Sequence, residues 1–255
     1  MGEESKDKLY LTIYKDLAQP TVNAIGRTLG TVAELCPTLM LPIKLINEKT
    51  KIYFEKNIKD YAKKLEEIPE EKLRDVHPQI GVPILEKLLY TSNEEIANLF
   101  TNLLKNASNE DTIKYAHPSF IDMISWLSPD EARIIEYLSN HSEICYCNFR
   151  LNFVGKGNGF KTLIDHGTIL TREINLNFPE NIGAYLNNLI RIGVLSDENG
   201  LYKTDETEYS KICEYYDLEK LKLQYPQPVY EKIDIDKSFY KVTNFGKLFI
   251  NACIR

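Results

Sequence analysis

The sequence predicts a mainly α-helical protein. Long amphipathic helices fill residues 1–127, and a winged-helix-like α+β region with short strands fills 128–255. Three observations carry this prediction. Apolar residues recur every three or four positions through the first quarter of the chain. Two sharp helix starts, TSNEE at 91–95 and SPDE at 128–131, punctuate the middle. After residue 140 the helical stripe stops, glycines appear, and the chain closes in the order helix, helix, strand, turn, strand, helix.

Residues 15–65 read as helix. Ala18, Val22, Ile25, Leu29, Val32, Cys36, Leu39, Ile43 and Ile46 form one stripe, which Pro37 and Pro42 kink or break. A second helix runs from about Lys44 to Leu65, its stripe made by Phe54, Ile58, Tyr61 and Leu65. HPQIGVPILEKLLY (77–90) predicts a proline-punctuated short helix. In the next helix Ser92 and Glu95 fit a capping box, ahead of a buried face of Ile96, Leu99, Phe100, Leu103 and Leu104. HPSFIDMISWL (117–127) predicts another short helix. In SPDEARIIEYL, Ser128 is the N-cap, Pro129 sits at N1 and Glu131 closes a second box. Residues 140–180 read as loop and short strand, and 177–196 as helix then strand. Residues 240–254 read as a strand entering a terminal helix with Phe245, Leu248, Phe249 and Ala252 on its face.

Charge narrows the function classes. The net charge is -6, and residues 1–76 balance at 13 of each sign, so no segment draws a polyphosphate by long-range field. Five cysteines at irregular spacing, with a polar start unlike an export leader, predict a reducing, cytoplasmic setting. GKGNG (155–159) has neither Walker nor dinucleotide spacing and reads as a turn. Cys145 and Cys147 offer two ligands where a closed zinc site needs four. They read as small side chains on opposite faces of a strand. His77 and His117 precede prolines and read as extended residues before helices. SPDEAR shares spelling with metal nucleases, but Asp130 and Glu131 fall in a helix first turn, where carboxylates suit the macrodipole. No motif calls for catalysis, a metal or a cofactor.

Residues 24–46, AIGRTLGTVAELCPTLMLPIKLI, pose a separate question. A spanning helix needs about 20 apolar residues in a row. Arg27, Glu34 and Lys44 interrupt, so a simple span is excluded. Gly26 and Gly30 form a GxxxG spacing that permits close helix crossing. The stretch reads either as a core helix or as a proline-kinked hairpin at the inner membrane.

TSNEEIANLFTNLL, AHPSFIDMISWLSPDEARII and VTNFGKLFINAC together resemble the abortive-infection alpha family, and residues 19–44 resemble its N-terminal helix. The resemblance implies a role in abortive phage infection, in which an infected cell stops growing or dies before virus release. It carries over no catalytic residue. His117, Pro118, Phe120, Ser128, Pro129 and Glu131, the most specific part of the pattern, are assigned as caps and packing. The expected partners are a protein, phage-encoded among the candidates, the inner-membrane surface, and a second copy of the chain. Nucleic acid is disfavoured. The competing reading is a winged-helix regulator with ENIGAYLNNLIR (180–191) as recognition helix. Asn187 and Asn188 could read bases, but Arg191 alone would hold phosphate.

Overall fold

The structure is a computed structural model that describes residues 48–153, 159–223 and 230–255. The fold is mainly α with one small antiparallel sheet. It divides into two compact units. One comprises the described residues up to Ala132 together with Leu248–Arg255, and the other spans Arg133–Lys247.

The first unit is helical. Helix α1 (Glu48–Leu65) buries Phe54, Ile58, Tyr61 and Leu65, each at most 3% exposed, as its helical spacing predicts. Two polar groups on that face are fully matched. Asn57 Nδ2 donates to the carbonyls of Leu88 and Thr91, which terminate α2 (Pro78–Tyr90). The Tyr61 hydroxyl bonds Ser108 Oγ at 2.6 Å. Helix α3 (Glu94–Ala107) starts one residue later than the capping-box reading places it. Asn93 is the N-cap, and its side chain accepts from the Ile96 amide at 3.0 Å. Ile96 is half-buried, and Ala97 lies inside with Leu99, Phe100, Leu103 and Leu104. Short α4 (Ser119–Ser125) buries Phe120, Ile121, Met123 and Ile124. Helix α5 (Pro129–Leu138) follows, and the division between units falls within it.

The second unit carries the sheet, in the order β2-β1-β4-β3. Strands β1 (Glu143–Phe153) and β2 (Phe160–Gly167) replace the expected loop and short strands with a long antiparallel pair. The reason is burial on both sides. Ile144 to Phe149 are all buried, so no hydrophobic alternation marks the strand. Cys145 and Cys147 share one face, contrary to the opposite-face reading, because side chains two apart on a strand point the same way. With Phe149 they pack against Tyr209 and Ile212 of α8 (Thr207–Tyr216), the seventh and sixth helices being α7 (Ile182–Arg191) and a single turn, α6 (Leu170–Glu173). Two register shifts interrupt the β1–β2 ladder and blunt the β2 edge against strand addition.

Strand β3 (Leu195–Asp197) and strand β4 (Tyr230–Val242) complete the sheet, with short α9 (Leu218–Leu223) before β4. Helix α10 (Asn244–Cys253) ends the fold. Its buried face is Phe249, Ile250, Ala252 and Cys253, whereas Phe245 is 38% exposed and Leu248 half-buried. The face lies further along the helix than the sequence stripe indicates.

Candidate functional site

Within the first unit, the blocks that carry the sequence pattern meet around the last turn of α10. A helix ends with carbonyls that lack intrahelical donors. Here Asn102 and Asn106, one turn apart on α3, supply the donors. Asn106 Nδ2 donates to Ala252 O at 2.9 Å and Asn251 O at 3.5 Å. Asn102 Nδ2 donates to Cys253 O at 2.9 Å and Ile254 O at 3.4 Å. Phe120 packs edge-on against Phe249, with centroids 5.1 Å apart, and the His117 ring lies 5.6 Å from Phe120. His117 Nδ1 bonds the hydroxyl and amide of Ser119, tying the residue before Pro118 to the start of α4. Pro118 takes the N-cap position of that helix.

Ser128, Pro129 and Glu131 form the start of α5. The Ser128 amide donates to Glu131 Oε2 at 2.6 Å, and the Glu131 amide donates to Ser128 Oγ at 3.3 Å. This is the reciprocal capping box. Pro129 is the first helical residue. Asp130 and Glu131 are 2% and 4% exposed, in a helix first turn rather than at a strand end. Gly26 and Gly30 lie outside the described residues, as does 155–158 of the glycine-rich run.

The second unit contains a constellation drawn from all four strands. Tyr146 on β1 reaches over β4 and donates to Asp197 Oδ1 on β3 at 2.7 Å. Tyr240 on β4 reaches the opposite way, and its hydroxyl bonds Nδ1 of His166 on β2. The two phenol rings cross with centroids 4.8 Å apart. The His166 ring stacks on Tyr146 at 4.5 Å. His166 has φ 51°, a left-handed conformation that a non-glycine residue adopts only when its surroundings hold it there. The holding contact is Asn148 Oδ1, which accepts from the His166 amide at 2.7 Å. Ser238 Oγ, on the same face, donates to Glu198 O at 2.8 Å.

Burial raises both phenols above the ordinary tyrosine range, and for Tyr240 the Asp197 charge adds to the effect. Tyr240 therefore keeps its proton at neutral pH, beside His166 Nδ1. His166 Nε2 stands 3.7 Å from Asp165 Oδ1. Chemically the two phenols of this network retain their protons. On the opposite face, burial and contact with Cys213 push the Cys147 thiol up to about 12, which makes it a poor nucleophile and ligand. Among the described residues, no group of three or more His, Cys, Asp or Glu could hold a metal ion.

Sequence reasoning singled out neither arrangement. Tyr146 stands between the two cysteines of CYC, whose thiols draw attention from it. Asn102 and Asn106 read as neutral helix residues, because a capping role toward a helix some 150 residues away leaves no local signal. The alternation of 233–240, with Asp234, Asp236, Ser238 and Tyr240 on one side, does signal a strand face.

Comparison with known proteins gives a family model described as abortive infection alpha, which matches residues 53–253. No curated protein matches. A solved structure is similar, that of an uncharacterized protein from the hydrocarbon-degrading marine bacterium Alcanivorax borkumensis SK2. It shares 16% identity, covering 56% of this chain and 94% of that one, with a TM-score of 0.34. At that score it carries no argument.

Proposed function

The chain belongs to the abortive infection alpha family, and from that membership we propose that it is an antiphage defence protein acting by contact with another macromolecule or with a membrane. The observation that carries the proposal is the length of the family match, which reaches from α1 to the last residue of α10. Two features of the site support a non-catalytic mode. The family-motif side chains are occupied as caps and packing, and the buried phenols of Tyr146 and Tyr240 hold their protons. Plating phage on bacteria with and without the gene tests the defence role. A lower plaque count with the gene supports it, and equal plating across a broad phage panel refutes it.

The membrane mode is tested separately with a voltage-sensitive dye during infection at high multiplicity. Early depolarisation supports membrane disturbance. An intact potential in protected cultures points to a protein target instead. Among the described residues no helix is long and apolar enough to cross a membrane, so a membrane role would be played at the surface or by residues 24–46.

A specific observation bears on the winged-helix regulator. Helix α7 leads into β3, and β4 pairs with β3 as a wing would. The exposed face of α7 is Gly183, Ala184, Asn187 and Arg191. The Arg191 guanidinium donates twice to Asn188 Oδ1, at 2.8 and 3.1 Å. A small, weakly charged face of this kind suits protein contact better than a phosphate backbone. A gel shift at low and high salt separates the two.

A further inference from the structure

We infer that the outward face of α1 docks on an anionic phospholipid surface, an inference that rests on the defence reading only for its biological setting. The opposite face of this helix is committed: Phe54, Ile58, Tyr61 and Leu65 are buried, so the helix cannot rotate about its axis. The outward face is thereby fixed too. Ile52, Lys56, Lys59 and Lys63 are all exposed and follow one another at spacings of four, three and four. At about 100° per residue they fall within an arc of roughly 60°, along about 16 Å of helix. Ile52 is 62% exposed and Tyr53, on the flank, 38% exposed, which gives the amino end of the stripe an apolar tip.

Carboxylates flank the stripe: Glu55, half-buried, stands one turn before Lys59, and Glu67, one turn after Lys63, is held by Lys105 at 2.6 Å. Lys56 pairs with Glu94, but both side chains are largely exposed, and such pairs exchange readily with other anions. Asp60 lies to the side and is held by Lys64 at 3.1 Å. A row of lysines beside an exposed isoleucine and tyrosine matches a lipid interface, where ammonium groups meet phosphates and the apolar tip enters below them. Duplex nucleic acid would leave the exposed isoleucine without a role, whereas a lipid interface takes it up below the phosphates.

The test is co-sedimentation of the full chain with vesicles of phosphatidylglycerol and phosphatidylcholine, against vesicles of phosphatidylcholine alone. The variants are the triple Lys56→Gln/Lys59→Gln/Lys63→Gln and the single Ile52→Ser. All four positions are exposed, and circular dichroism verifies that the fold is kept. The wild type is expected to bind the anionic vesicles and to leave them at high salt. An anionic surface contributes about fivefold per lysine, so the triple variant should bind roughly 100-fold more weakly. Ile52→Ser should weaken binding even at high lipid charge. Wild-type binding that the triple variant retains, or no binding to anionic vesicles, overturns the proposal. So does a gel shift of duplex DNA that depends on these lysines while vesicles go unbound. Because no phage is present, each outcome leaves the plating result to judge the defence role by itself.

Discussion

Replacing Asn106 with alanine should destabilise the helical unit through the last turn of α10. The carbonyls of residues 251–254 take hydrogen bonds from two asparagine amides, and Asn106 serves Ala252 at 2.9 Å. Asn106 is 4% exposed, and Ala252 and Cys253 are fully buried, so water does not readily replace the lost donor. A buried carbonyl left unmatched costs about 1–3 kcal/mol, which gives about 2 kcal/mol for Asn106→Ala. Asn102→Ala should cost a similar amount. The double variant should lose about 3 kcal/mol rather than the full sum, because the two donors secure one helical turn and are coupled. In thermal unfolding a loss of about 2 kcal/mol corresponds to roughly 4–8 °C for a chain of this size. Asn106→Asp is the sharper comparison, since it keeps the shape but turns an acceptor toward the Ala252 carbonyl. It should be at least as damaging as alanine. An Asn106→Asp protein that melts within about 1 °C of wild type would refute the capping argument.

Other outcomes follow from the same structure. Gly246→Ala should abolish soluble expression or lower the melting point sharply, because an added Cβ would stand 2.2 Å from the Val194 carbonyl oxygen, a backbone atom with little room to shift. Ser128→Ala should cost about 1 kcal/mol by removing half of the capping box, read as a lower denaturation midpoint. The buried tyrosines predict alkaline sensitivity. Tyr209 is pushed from 10.0 up to about 12, and Tyr61, Tyr146 and Tyr240 are raised further. A raised phenol favours the folded state while protonated. The contribution is complete below pH 10 and is lost as pH rises from 10 toward 12. Denaturation midpoints between pH 8 and 11.5 should fall above pH 10, and Tyr146→Phe should lessen the slope.

Much of the helical part was legible. The α1 stripe, the proline-led start of α2 and the Ser128 cap are local signals, written within a few residues of where they act. The Ser92 cap reading falls one residue short of the observed Asn93 because Ser92, Asn93 and Glu95 offer overlapping cap chemistry. The sheet was less legible. Burial on both faces of β1 erases alternation, and the register shifts opposite β2 break its period. Gly246, by contrast, is explained only by a contact between segments 52 residues apart. The same holds for the four-strand network, whose members come from four separate stretches of sequence.

As a member of its family, the chain is proposed to abort phage infection. The direct measurement is a one-step growth curve at high multiplicity, with infected-cell survival scored alongside in bacteria carrying the gene or the Gly246→Ala variant. Wild-type cells are expected to stop growing or die with a sharply reduced burst, while cells carrying the variant release phage normally. Normal bursts from cells carrying the wild-type protein would contradict it.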